Sequence, residues 1–372
     1  MQFTAINFTC PSCGAPLKFS PATGKLQCEF CHKEVAIDQA DTPIEEHSLT
    51  QALQTLDTTP NHPIEKKVHC KKCGSEFTLT PYAFSTNCPY CGTPAIIEFV
   101  KEITPQSLIP FHLTHKEAQA RFKAWVGSLW FAPSAFTKYL DGDNKLTGYY
   151  LPYWTYDSDT LTDYHGKRGD LYYVTVNKTI RDEQGRSRQV QVQESHIRWT
   201  PVSGRVTLSF DDITVGASKT VTRTILQALE PWNTKALVPF DEKYLVGFEA
   251  EEYTVGLDNG FEYAKVKMNR AIERAIRRDI GGDQQQITSA NTRYLNTTYK
   301  NILLPVWVAT FEWDNKTYRY AVNAQTGKVS GERPYSIVKI FFAVTAAVLV
   351  IAALFYLNAH PEILEAMGIH LN

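Results

Sequence analysis

From Ile337 to Leu357 the chain reads IVKIFFAVTAAVLVIAALFYL, with Lys339 its only charge. Twenty-one residues rising ~1.5 Å each cover ~31 Å, which matches a hydrocarbon core of ~30 Å and predicts a transmembrane helix. A core helix apolar on every face would need protein all round it, and too little chain follows to supply it. Lys339 falls where its amine can snorkel to the headgroups, and Phe355 and Tyr356 fall at the far boundary. Upstream the apolar spacing is shorter. Thr114 and Glu117 form a capping box ahead of a helix presenting Ala118, Phe122, Trp125 and Leu129, and Met268, Ile272, Ala275 and Ile276 stripe a second helix that ends at Gly281-Gly282. Val190, Val192 and Glu194 alternate with Gln191 and Gln193 in a β-rich arm turning at Asp182-Glu183-Gln184-Gly185. Thr42-Pro43-Ile44-Glu45 reads as a helix start before Leu49, Ala52, Leu53 and Leu56, and the prolines at 60 and 63 end that helix.

Two kinds of repeat organise the chain. Cys10/Cys13 and Cys28/Cys31 recur as Cys70/Cys73 and Cys88/Cys91, an offset of 60 with 14 residues between the inner cysteines each time. Gly14 and Gly74 follow the second cysteine of each set, suiting a turn with unusual dihedrals. Two thiolates three apart grip one side of a Zn²⁺ ion and a second pair completes the tetrahedron, so each set predicts a zinc ribbon, a closed structural site with no open coordination position. A redox dithiol would need one such pair and not four. His32 follows Cys31, but its counterpart is Gly92, so it is not expected to be a ligand. The second repeat is fainter: Leu108-Ile109-Pro110-Phe111 returns as Leu237-Val238-Pro239-Phe240, and Leu151-Pro152-Tyr153-Trp154 as Leu304-Pro305-Val306-Trp307. It predicts two related halves, about 101–232 and 233–335, in which the segments from Leu108 and Leu237 correspond and Trp154 and Trp307 are buried in equivalent places.

Charge narrows the partners. With 38 Lys+Arg against 39 Asp+Glu the net charge is −1, so no global field draws nucleic acid or anionic lipid. A local basic surface is predicted on one helix, from Lys265, Lys267, Arg270, Arg274, Arg277 and Arg278. Lys316, Arg319, Lys328, Arg333 and Lys339 precede or open the span while 358–372 has no Lys or Arg, which places the large N-terminal part in the cytoplasm, where zinc-site cysteines stay reduced. The start MQFTAINFTC has no basic region or apolar run, so no cleavable signal is expected. On an extended strand Asp157, Asp159, Asp163 and His165 would share one face and suit a hard cation, although a solvated strand face suits them better. Gly24-Lys25 and Gly327-Lys328 lack the Ser/Thr of a phosphate loop, and neither a GxSxG elbow nor an HExxH pair occurs.

The words CPSCG, CPYCG, LPYWTYD (151–157), RWTPVSG (198–204), LEPW (229–232), DIGGD (279–283), LLPVW (303–307) and GERPYS (331–336) carry a resemblance. The chain resembles the bacterial membrane proteins with transcription-factor-IIB-type zinc ribbons, some of them labelled primosomal protein N'/helicase-like. The motor motifs that label requires are missing here. The resemblance carries over only the eight cysteines, and it implies a bacterial cytoplasmic membrane and gene neighbourhoods of phage-shock and flotillin-like (SPFH) membrane-stress proteins. The expected molecule is α+β: zinc ribbons at 1–40 and 67–100 holding two structural Zn²⁺, a helical linker at 41–66, a β-rich duplicated α+β domain at 101–335, one C-terminal transmembrane helix at 337–357 and a short external tail at 358–372. The expected function is that of a tail-anchored zinc-ribbon adaptor without catalytic activity, recruiting a protein partner to the bilayer and taking no small-molecule substrate. The alternative is a membrane-tethered nucleic-acid binder.

Overall fold

The computed structural model describes residues 2–38, 43–55, 66–80, 82–99, 103–136, 146–181 and 187–359. Thr42, the turn expected at 182–185 and most of the tail expected at 358–372 lie outside these. The fold is mixed α+β, with three sheets and one apolar C-terminal helix among the described residues.

The first cysteine set sits on a small antiparallel sheet of β2 (Leu17–Ser20), β3 (Lys25–Cys28) and β4 (Glu34–Val35). β1 (Gln2–Thr4) leaves this unit and pairs in parallel with β6 (Lys66–His69), which is antiparallel to β7 (Glu76–Leu79). The second cysteine set is divided between sheets, because β8 (Ala83–Asn87) and β9 (Pro94–Ile96) belong to the eleven-stranded sheet that forms the body of the molecule. Phe19 of the first unit packs edge-on against Tyr244 at 5.3 Å, and its amide donates to Val246 O. Both cysteine units therefore share a core with the body. Between them, β5 (His47–Ser48) pairs with the main sheet and α1 (Leu49–Thr55) follows it. The helix begins later than Thr42-Pro43 implied: residues 43–46 have no regular structure, and His47–Ser48 pair as a strand before the helix starts at Leu49.

The main sheet is built on three very long strands. β11 (Thr147–Arg181) has 35 residues and pairs antiparallel with β12 (Ser187–Gly216), which has 30. β15 (Gln284–Trp313) runs antiparallel to β11 and turns back as β16 (Lys316–Asn323), with β17 (Val329–Gly331) beyond. The pairing of β11 with β15 is symmetric about the repeated words: Leu151 faces Leu304, Tyr150 faces Pro305 and Gly148 faces Trp307. β10 (Ser107–Leu108) lies parallel to β15 at Ile302, and β14 (Glu249–Glu251) lies parallel to β11 at Tyr149, the corresponding place in the other half. Each short strand leads into a helix, α2 (His115–Gly127) after β10 and α4 (Leu257–Ile280) after β14. Leu237–Phe240 is not the counterpart of Leu108–Phe111. It supplies β13 (Val238–Pro239), which pairs directly with β10, Val238 opposite Leu108.

The halves are exchanged. α4 packs on β11 and β12 of the first half, α2 on β16 and β17 of the second. Trp154 Nε1 donates to Val255 O at 2.9 Å and Trp307 Nε1 to Leu113 O at 3.0 Å, in each case the carbonyl just ahead of the opposite helix's N-cap, Gly256 or Thr114. Both rings are buried, as expected, but beneath the other half's helix. Tyr156 and Tyr164 lie under α4 and pack with its own Met268, Ile272 and Ile276, and Phe111, Phe311 and Tyr320 pack with Phe122 of α2. α3 (Arg223–Ala228) closes the opposite face through Ile225 and Leu226 on Leu151, Leu304 and Val306, which explains why β15 reads as an unbroken apolar run there. α5 (Ile337–Ala359) contains a 21-residue stretch, Ile337–Leu357, long and apolar enough to cross a membrane and not buried against the rest of the fold.

Candidate metal centres and the surfaces around them

Each cysteine pair closes one tight backbone turn, and all four turns are alike. Gly14 N donates to Cys10 O, His32 N to Cys28 O, Gly74 N to Cys70 O and Gly92 N to Cys88 O, at 2.8–3.0 Å. These four residues have φ between 57° and 76°, the left-handed region that glycine enters without strain. His32 thus stands in a glycine's conformational position, which accounts for its place after Cys31.

The turns bring the sulfurs together in two groups, Cys10, Cys13, Cys28 and Cys31, and Cys70, Cys73, Cys88 and Cys91, with every Sγ in a group within 4.8 Å of the others. Cys10 and Cys31 are 3.5 Å apart, as are Cys13 and Cys28, while Cys70–Cys91 and Cys73–Cys88 measure 3.8 and 3.9 Å. A disulfide would need about 2.05 Å. Four thiolates at about 2.3 Å around one tetrahedral ion stand about 3.8 Å apart, so this donor set fits a metal ion in each group. In each group one thiol is favoured as thiolate and another is held protonated: the Ser12 amide lowers Cys10 to about 6 and the Ser75 hydroxyl at 2.9 Å lowers Cys73 to about 6, whereas Cys13 is raised to about 12 and burial raises Cys70 to about 11. Both groups could hold a metal, and neither leaves a fifth protein donor among the described residues.

The acidic strand face does not assemble as a straight strand would place it. A register shift between Asp157 and Asp159 turns Asp157 toward Asp211 and Asp212, while Asp159 accepts from Ser209 and Asn296, and Asp163 pairs with Arg205. At the centre of the Asp157 group sits the buried amine of Lys300, 2.9 Å from Asp212, 2.8 Å from Glu46 and 3.7 Å from Asp157. A protein ammonium fills the cationic role there. Burial, reinforced by Glu46, lifts the Asp157 carboxyl to about 6 against the pull of Lys300 and the Asp212 amide. Sequence reasoning missed Lys300, Glu46 and Asp212; the one visible signal is a lysine just ahead of the apolar run Ile302–Val308.

Three of the six cations of the basic helix are paired with carboxylates. Lys267 bonds Glu230 and Thr214 O, Lys265 bonds Glu262, Arg277 bonds Glu273 and Gln285 O, and Arg278 bonds Arg274 O. Arg270, Arg274 and Arg278 are the three with no carboxylate salt bridge among the described residues.

No family model matches the chain, and no solved structure matches it. Over 338 residues, 89% of this chain and 91% of the relative, it is 26% identical to the uncharacterized protein YdjG of Bacillus subtilis (strain 168).

Proposed function

We propose that the protein is a membrane-tethered adaptor of the kind with transcription-factor-IIB-type zinc ribbons, holding two structural Zn²⁺ and presenting its body at the cytoplasmic face to recruit a protein partner. The observation that carries this reading is the free end of the β11–β12 hairpin. β15 begins at Gln284, opposite Gly169, so Leu171–Arg181 pairs only with Ser187–Ile197 among the described residues. Eleven residues of strand at ~3.3 Å each carry this arm up to ~36 Å past the point where β15 leaves β11. Leu171, Tyr172, Tyr173, Val174 and Ile180 are exposed on it, and both its edges offer unpaired backbone groups, the chemistry by which an extended segment of another protein adds as a strand. Closed four-sulfur centres fit a structural task and supply no catalytic position. The symmetric pairing of the two LPxW words supports an origin by duplication.

Photo-crosslinking from Tyr173 in intact cells tests the adaptor. One protein captured by the wild type, and lost when 171–197 is replaced by a short turn while metal content and membrane residence persist, supports it; retention of that partner sinks it. Nucleic-acid binding that weakens steeply with salt would support the alternative of a membrane-tethered nucleic-acid binder, which the pairing of Lys265, Lys267 and Arg277 with carboxylates disfavours.

A further inference from the structure

The turn after α2 runs Ser128-Leu129-Trp130-Phe131-Ala132 and presents its two largest side chains outward. Trp130 is 79% exposed and Phe131 41%. This is not a loose loop. Leu129 and Ala132 are buried beneath it, and Ser128, Leu129 and Ala132 each donate backwards, to Trp125 O, Val126 O and Leu129 O at 3.0–3.1 Å. The fold therefore holds an indole and a phenyl ring in the open, which a water-facing surface does not reward.

The turn is also fastened to the first turn of α5. Ser336 N donates to Phe131 O at 2.7 Å and Lys339 Nζ to Ala132 O at 2.8 Å. Beside these bonds lies a cavity of about 680 Å³ lined by Val126, Leu129, Trp130, Phe342 and Ala343, with Lys339 its one charged residue. Tyr335, with Arg333 5.4 Å from its ring centre, is exposed just ahead of the same helix. Aromatic rings with a polar edge, a lysine with a short reach and an apolar cleft continuous with a lipid-facing helix are the composition of a membrane–water boundary.

We infer that the Trp130–Phe131 turn is a second membrane contact: it enters the headgroup region of the leaflet in which α5 begins, and the cleft between the end of α2 and α5 takes part of a phospholipid. This rests on the reading that α5 spans the bilayer. The bonds at Ser336 and Lys339 set the depth of the turn, because they tie it to the residues where the span starts. With two contacts the body is not free to swivel on its tether, and one fixed face is turned to the membrane.

The test uses the full chain in vesicles of phosphatidylcholine and phosphatidylglycerol whose acyl chains carry bromine near the glycerol end, a contact quencher of tryptophan. Flotation and quenching are read on wild type, Trp130→Phe and Trp199→Phe, the last altering the distant β12. The expected result is flotation of all three, with Trp130→Phe cutting the quenched amplitude at least about twofold and Trp199→Phe leaving it unchanged. If the protein floats and Trp130→Phe leaves quenching as it was, the second contact is overturned and the span stands. If it does not float, the span and the contact fall together. Disulfide-linked dimers of Trp130→Cys at unchanged quenching would assign the surface to a second copy instead.

Discussion

His32 adopts φ 57° where the three other cysteine turns have glycine, so its side chain follows from a missing glycine and not from a need for imidazole. His32→Gly should keep two metal equivalents and change stability by less than about 1 kcal/mol, since relief of the left-handed backbone offsets the looser unfolded chain. Metal analysis with denaturant unfolding checks this, and loss of one equivalent would make His32 a ligand after all. A second residue-scale expectation concerns Asp157. Its carboxyl is lifted from 3.8 to about 6 by burial, so the folded state holds this proton more tightly than the unfolded state does. That contribution is fully present below about pH 4 and is lost as pH rises through about 6. Asp157→Asn, which leaves Glu46 and Asp212 on Lys300, should remove this loss: the stability of wild type relative to the variant should decline from about pH 4 to 6 and level off above. An unchanging difference would mean that Asp157 titrates normally.

Among the elements, α4 crosses the first half's strands at Gly260, where an added Cβ would strike Tyr156 Oη and lie 2.7 Å from Trp154 Cδ1. Ala118 holds the matching place on α2, over Trp307, and on that strand the position of Tyr156 is taken by Ala309. A glycine-to-alanine change inside a helix ordinarily stabilises by about 1 kcal/mol, but Gly260→Ala should destabilise by about 1–3 kcal/mol because the rings beneath cannot move. Thermal unfolding decides the sign. Cys70→Ser should have a longer reach than a separate ribbon would allow: β6 carries β1 and is tied to the end of β14 by the buried Lys66–Glu252 pair at 2.7 Å, and β8 pairs with β14 and donates from Ser85 Oγ to Phe248 O just ahead of it. Hydrogen exchange should therefore rise at β1 and β14 as well as in the second cysteine unit. Protection unchanged at β14 would restore an independent domain. The capping box at Thr114 and the end of α4 at Gly281 were legible because their signals are local, within four residues. The division of the second cysteine unit between two sheets was not legible, since it depends on partners more than a hundred residues away.

Across the whole molecule, the repeated words announced two halves, and the partners of those words lay hidden. LPxW repeats because both copies meet at the centre of one sheet; LxPF repeats because its copies pair with each other, a relation that likeness alone cannot separate from equivalence of position. The eight cysteines were fully legible, being set by spacing, whereas the Lys300 group required four separate segments to converge. The crossed tryptophan bonds reach furthest. Since Trp154 anchors the helix of the later half and Trp307 that of the earlier one, neither half owns a finished core. Severed between Trp232 and Leu237, the body should give two fragments that are each unfolded alone and regain near-ultraviolet dichroism when mixed, complementation between pieces of what is one unit of folding. A fragment that folded alone would show the exchange to be ornamental. A ribosome cannot deliver this body in instalments: the earlier half waits, incomplete, until Trp307 has been made, and by then the apolar C-terminal helix is the next helix to be synthesised.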